Sequence, residues 1–457
     1  MVLPSALIRV LHRHYKHEFK RRLGADPLKL RRFWAEFWAS PSRAAMASQN
    51  IFLAEEGAVW ERTVPLTIHE DAGPASKVLS ANQVSFSGLL SSGDEKLTKF
   101  IIFTALKNKG VVDDNAWPSL LRDLEDLARG VRLGDDMWRF VLLFGKADEE
   151  VRVNTWGLPS YNAPNEVCSE CLANRTTRPF TDLSAAAAWR PTQEMPFVSY
   201  VARIRTPMHP LAASPFCTRF LMFPDLMHMM DCKGVSATTY GSLLALLLKT
   251  RALGRNMHER LIAINRFAKG WYAARPGSHR LPLIKVSNLR VDGWAELHGP
   301  NVKAANTRGA APMFADLARR YLASESPRDN AARTVADKLV ELYDVLYSEG
   351  MFMSSATIAR VERICCEFGS NYMALREWCR VNNELAFAVK PQIHKMQHLP
   401  LLCTIVNPRF VQCYAEESSI GTTLKVYKKS MSGRYTETIQ KSVLAKRLLG
   451  LFLRFEP

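Results

Sequence analysis

The stretch from Arg62 to Asp148 constrains this chain most, because it reads as five elements in a fixed order. Residues Arg62 to His69 (RTVPLTIH) are β-rich and run into Glu70-Asp71-Ala72-Gly73-Pro74, a turn composition. Gln83 to Leu90 (QVSFSGLL) alternates apolar and polar residues and ends at Ser91-Ser92-Gly93. Leu97 to Leu106 (LTKFIIFTAL) predicts a third strand. Trp117 to Arg129 carries Leu120, Leu121, Leu124 and Leu127 at helical spacing. Trp138 to Phe144 (WRFVLLF) is a near-continuous apolar run, as expected of a strand covered on both faces, and ends in Gly145-Lys146-Ala147-Asp148. The order is β-β-β-α-β, with one acidic residue just after the first strand and another just after the fourth.

Three carboxylates from separate elements that converge on a sheet edge can hold two divalent cations. Such a pair activates a water or hydroxyl and stabilises the leaving oxygen of a phosphodiester. Hard oxygen ligands suit Mg²⁺ or Mn²⁺. This is the logic of a ribonuclease-H-like fold, with the first acid on strand one, the second after strand four and the third on a later helix. Asp71 and Asp148 take the first two places. Glu416 and Glu417 open Ser418 to Lys429 and are both candidates for the third, where a helix N-terminus favours negative charge. Each acid also has a plain alternative: a turn at Asp71, a solvated acidic run at Asp148-Glu149-Glu150, a helix-dipole partner at Glu416-Glu417.

The remainder is mostly helical. Periodicity predicts helices over 3–38, 242–250, 257–271, 313–322, 331–347, 355–376 and 439–455, and Leu401 to Val406 reads as a strand. The expected fold class is therefore α/β. A basic helical region (1–60) precedes the first part of a ribonuclease-H-like core (61–155). A large helical insertion (156–399) follows, and 400–457 completes the core.

Charge is placed unevenly. The chain has 61 Lys/Arg and 44 Asp/Glu, a formal +17, in an otherwise ordinary globular composition. Residues 1–45 hold 10 basic and 3 acidic residues, and 418–457 hold 8 and 2, which leaves only +4 for the middle. Basic ends on a near-neutral body point to a polyanion, DNA first, with Lys16, Lys20, Arg21, Arg22, Lys425, Lys428 and Lys429 as candidate contacts. An anionic surface is the second reading, and a basic start also fits a mitochondrial transit peptide. No apolar stretch is long enough to span a bilayer. Nine cysteines, two of them adjacent, fit a reduced intracellular protein. Cys168 and Cys171 have metal-ligand spacing and would form half of a structural Zn²⁺ site, with His228, Cys232 or His209 as partners. His394 and His398 are four apart and could share a metal, although one packed and one exposed histidine is the expected arrangement. Nucleotide-loop, Rossmann and Gly-x-Ser-x-Gly signatures are absent, and the tryptophans read as core.

The segment Phe223 to His228 (FPDLMH) resembles the Asp-x-x-His signature of eukaryotic CACTA-type cut-and-paste transposases, matched by Asp225 and His228. The stretch from Trp156 to Cys168-Ser169-Glu170-Cys171 is similar to their approach to a Cys-x-x-Cys. Lys390 to Leu399 (KPQIHKMQHL) is similar to the segment before their final acid, and Glu416-Glu417 to Leu424-Lys425 to their late Glu on a helix. The resemblance covers about residues 62–430. It implies DNA strand cleavage and transfer by two Mg²⁺ ions held on Asp71, Asp148 and Glu417 or Glu416, and a nuclear location. A homo-oligomer is a further expectation. It also implies that Asp225 and His228 brace the insertion. The Asp-Ala-Gly context of Asp71 departs from the family's usual Asp-Gly. Two other readings stay open: a catalytically inactive transposon-derived DNA-binding or chromatin protein, and a helical protein that binds anionic surfaces.

Overall fold

The structure, a computed structural model, describes residues 1–54, 59–93, 98–108, 116–160, 162–163, 165–291, 293–430 and 436–455. The chain forms two compact units. The first comprises Met1–Pro159, Pro196–Asp225 and Phe410–Pro457; the second comprises Ser160–Met195 and Leu226–Arg409.

The first unit is built on a mixed sheet. Its strands are β1 (Thr63–Pro74), β2 (Leu79–Gly88), β3 (Phe100–Asn108), β4 (Val131–Leu133), β5 (Asp136–Ala147) and β6 (Met222–Pro224). The spatial order is β3-β2-β1-β5-β4, and β6 also pairs with β5. β1, β2 and β3 are antiparallel neighbours, whereas β5 runs parallel to β1, and β6 parallel to β5. β4 forms a hairpin with the start of β5, and β6 takes the end of the same strand. The expected β-β-β-α-β order is present, with the short β4 added after the helix. Leu97, the expected start of the third strand, lies outside the described residues, and β3 begins at Phe100.

The first expectation to change is the turn at Asp71. β1 continues through it to Pro74, because the backbone of 71–74 pairs with 80–83 of β2. Asp71 is therefore a strand residue opposite Gln83, and the chain reverses after Pro74. The predicted N-terminal helix is broken into Pro4–His14, Lys16–Leu23 and Pro27–Trp38. Tyr15 leaves helical geometry between the first two, and Gly24 ends the second in the left-handed region at φ 69°. The predicted strand at Leu401 to Val406 is instead a helical turn, Leu399–Cys403, opened by Pro400 in a position that suits proline.

Apolar stripes explain the layers. The helix Trp117–Arg129 buries Trp117, Leu120, Leu121, Leu124 and Leu127. Phe19 packs edge-on against Trp138 of β5, 5.3 Å between ring centres, and the Trp34 indole donates to the Thr63 carbonyl. β2 and β3 lose register between Val84 and Ser85, and the carbonyl of Ile102, at that irregularity, accepts the Val2 amide instead. The helix Tyr414–Ser430 lays Glu416, Ser419, Ile420, Thr423 and Tyr427 inward. Thr423 donates to Gln83 of β2, and the Tyr427 and Thr104 hydroxyls meet at 2.7 Å. The last helix, Thr436–Phe452, closes a small apolar cluster of Ala75, Ala81, Leu106, Tyr427, Ile439 and Val443.

The second unit is helical. Val235–Leu247 is buried on nearly every side, the behaviour of a helix inside a core. Met257–Ala273, Ala311–Tyr321, Pro327–Ser348 and Ser355–Val381 surround it in sequence, close to their predicted bounds.

Gly88 ties the N-terminal helices to the sheet by its missing side chain. A Cβ there would stand 1.9 Å from the Leu23 carbonyl oxygen, a backbone atom that cannot swing away. Gly88→Ala should therefore destabilise the protein by about 3 kcal/mol, the upper range for overpacking, read as a lower urea midpoint with a circular-dichroism spectrum that remains native at zero denaturant.

Candidate functional site

Two groups of side chains have more chemistry than packing requires. The first is at the carboxyl edge of the sheet. His69 pairs with Lys146 across β1 and β5, and Ala147 pairs with Pro224 across β5 and β6. Asp71 follows the last β1–β5 pair by two residues, and Asp148 and Asp225 each follow the last β5–β6 pair by one, so the three acids stand towards the same end of neighbouring strands. Asp148 keeps extended backbone, φ −67° and ψ 172°, while its carboxylate caps the helix Glu149–Asn154 through the Val151 amide at 2.7 Å. Asp71 is buried and accepts the Ala72 amide. Asp225 accepts the Cys413 amide at 2.7 Å, which fixes the chain just before the helix Tyr414–Ser430.

The same edge holds two lysines. Lys146, 2% exposed, pairs with Glu416, 1% exposed, and Lys99 joins them with its Nζ 3.0 Å from Glu416 Oε1. Burial pushes the Glu416 carboxyl up, but Lys146 and then Lys99 outweigh it and hold it far below the usual carboxylate range. Burial likewise opposes the Lys146 ammonium, and Glu416 more than restores it. His69, fully buried, has its pKa lowered to about 4, first by burial and against the pull of Glu416. It is a neutral ring at pH 7. Burial, then the charges of Asp225 and Glu416, push the Cys413 thiol well up, and Asp71 adds to them. His69, Lys146, Cys413, Asp225 and Glu416 thus share one electrostatic neighbourhood, and Glu417, half-buried, acts on His69 from its rim.

Among the described residues these acids do not form a group of three whose ligand atoms lie within 4.8 Å of one another. Asp71 lies in β1, and Asp148 caps the helix that follows β5. Glu416 is committed to two ammonium groups, which leaves Glu417 as the glutamate at the rim. The acids do not draw together as tightly as the second group does.

That second group lies in the second unit. Cys168, Cys171, His394 and His398 are all buried, with their ligand atoms within 4.8 Å of one another, and they form the one such group among the described residues. Cys168 Sγ is 3.4 Å from His398 Nε2, Cys171 Sγ is 3.3 Å from His394 Nε2, and the two Nε2 atoms are 3.2 Å apart. A tetrahedral site with Zn–N and Zn–S bonds of 2.0–2.3 Å has edges of about 3.3–3.8 Å. The Glu170 and Ala173 amides point at the two sulfurs, each at 3.4 Å. His398 Nδ1 meets Gln193 Oε1 at 2.9 Å, which puts its proton there and leaves Nε2 as the donor atom. Trp189 packs against both imidazoles. The group can bind a metal such as zinc.

The remaining expected residues fall elsewhere. The cysteine pair is completed by His394 and His398, not by His228, Cys232 or His209. His228 lies on the short helix Leu226–Met230, Cys232 follows it, and His209 packs on Trp117 in the first unit. Both His394 and His398 are buried, so the expectation of one exposed ring is corrected: the cysteine loop covers both. Lys16, Lys20, Lys425, Lys428 and Lys429 are exposed and Arg21 is half-buried. Arg22 is buried against Glu18 and is no surface contact. Sequence reasoning missed Lys99, Lys146, His69 and Cys413, which carry no motif. It had both halves of the metal group but joined neither to the other. No family model matches the chain, and no curated protein matches it.

Two outcomes follow. His69 takes up a proton near pH 6.5 when unfolded but only near 4 when folded. Folding stability therefore falls as pH drops from 6.5 to 4, by about 3 kcal/mol. Glu416 has a depressed folded pKa, so its contribution stands above ~4.3 and is lost only below it. Urea midpoints between pH 7 and 4.5 should show the first loss in the wild type and lack it in His69→Gln. Separately, the purified chain should carry about one equivalent of metal by elemental analysis. Cys168→Ser should lose it, and chelation should remove on the order of 4 kcal/mol of stability, as linkage requires for a metal held a thousandfold above its dissociation constant.

Proposed function

We propose that the first unit is a ribonuclease-H-like core and that the chain is a transposase-like, nuclear DNA-binding protein. The observation that carries this reading is that Asp71 and Asp148 stand just beyond the last pair of the parallel strands β1 and β5, in a unit whose late helix carries a glutamate. Three antiparallel strands, a helix and a further strand parallel to the first are the element order expected of such a core, which supports the reading. In this reading Asp71, Asp148 and Glu417 hold Mg²⁺ or Mn²⁺, and Glu416 is the structural partner of Lys146. Bound metals would supply an activated water or hydroxyl and stabilise the leaving oxygen of the cleaved strand. Asp225 positions the third acid through Cys413. The Cys₂His₂ group is a structural zinc site that pins the loop Val167–Ala173 to the segment that leads towards Glu417. DNA lies along the exposed lysines of the ends.

One observation favours a second reading, a derived DNA-binding protein without cleavage. Lys146 places a permanent cation among the acids and lowers their capacity for dications.

Nicking of supercoiled plasmid by the purified chain, with Mg²⁺ or Mn²⁺, decides between them. Cleavage should depend on metal and be lost in Asp148→Asn, and nicking that survives this substitution would belong to a contaminant. DNA binding without metal-dependent nicking supports the second reading. Replacing Lys425, Lys428 and Lys429 by Gln should reduce the salt slope of duplex binding by up to ~3; an unchanged slope takes DNA off that helix.

A further inference from the structure

The near-neutral middle of the chain conceals a basic block. Residues 255–286 hold seven Lys/Arg and one Asp/Glu, so the rest of the middle is slightly acidic. In the second unit this block folds into one feature. The helix Met257–Ala273 forms one wall, and the segment that returns through Leu281, Pro282 and Leu283 forms the other. Between them lies a cleft of about 750 Å³.

The walls are held in place. Asn265 receives the Ile284 amide and donates to the Ile284 carbonyl, both at 2.9 Å, and the Leu281 amide donates to the Tyr272 hydroxyl. An open cleft tied at both ends is preorganised, so a ligand pays little to order it. Its floor is aliphatic, from Leu261, Ile262, Leu283, Ile284 and Val286. Ile262 is 45% exposed and Leu283 65% exposed, which is unusual for side chains of this size in a contiguous patch. Arg266, Lys269, Arg280 and Lys285 stand exposed around it, none forms an ion pair among the described residues, and no Asp or Glu lines the cleft.

We propose that this cleft is a docking groove for an acidic, amphipathic segment of a partner protein. Its apolar side chains would cover Ile262 and Leu283, and its carboxylates would meet the four cations. The chemistry selects among occupants. A sugar–phosphate backbone would use the cations but leave the aliphatic floor unmatched. A small anionic amphiphile would stay half in water in so open a groove. A peptide that presents Leu or Phe at i, i+3 and i+4, with Asp or Glu between, matches both properties. The proposal stands independently of the nuclease-like reading, since no residue of the sheet edge takes part.

The test uses the full chain and fluorescence anisotropy of a fluorescein-labelled 16-residue peptide with Leu and Phe at helical spacing and Asp or Glu elsewhere. A counterpart with every acid replaced by Lys and a 20-base-pair DNA duplex serve as comparisons. The acidic peptide should bind and the lysine peptide should not. Arg266→Glu combined with Lys269→Glu should weaken the acidic peptide at least tenfold, and Ile262→Asp by a similar factor, with thermal melts unchanged. Hydrogen exchange on the unaltered protein gives a readout free of any variant: the acidic peptide should protect residues 257–286. The proposal is overturned if the acidic peptide does not bind, if it binds without protecting that segment, or if neither variant weakens it. Duplex binding that falls on charge reversal, without peptide binding, would make this face a nucleic-acid surface and overturn it as well.

Discussion

The buried pair of Lys146 and Glu416 is the interaction on which the sheet edge depends. It joins the end of β5 to a helix 270 positions later in the chain. Two charges removed from water are costly, and their mutual attraction offsets that cost only when the geometry is good and further partners are present. Lys99 from the β3 side is such a partner. The contact between sheet and helix has further polar links, through Gln83, Ser419, Thr423, Thr104 and Tyr427, beside the apolar packing of Leu424 and Tyr427. A greasy interface would tolerate sliding. Directional hydrogen bonds and the buried ion pair fix the register of this helix on the sheet more tightly than apolar contact alone.

That interface also explains the uneven legibility of the sequence. The order of elements in 62–148 is readable because WRFVLLF has the length and apolar continuity of a strand covered on both faces and because the leucines of 117–129 repeat at helical spacing. The continuation of β1 through Asp71 is not readable: Asp-Ala-Gly-Pro has turn chemistry, and only pairing with 80–83 overrides it. Nor is the role of Lys146. A lysine after an apolar strand looks like a solvated strand end, and it becomes buried only because a remote glutamate is brought to it.

The Cys₂His₂ group makes the same point in another chemistry. Cys-x-x-Cys and His-x-x-x-His are each visible as half-sites, separated by more than 200 residues. Spacing within each half is local information, whereas their union is tertiary. Burial of Trp189 against both imidazoles, the sulfur-directed amides and Gln193 on His398 turns two weak signals into one coordination geometry.

The first unit is assembled from three separate pieces of chain, the last beginning at Phe410. During synthesis, β1 to β6 therefore emerge well before the helix that neutralises Lys146. Until some 200 further residues have been made, that lysine has no carboxylate from Glu416, and Gln83 and Thr104 lack their helical partners. The sheet can form its backbone ladder early, but its finished edge has to wait until Glu416 has been made. Contacts this distant in sequence close late because loop-closure entropy must be met first, so the sheet stays without its covering helix while residues 226–409 of the second unit are made.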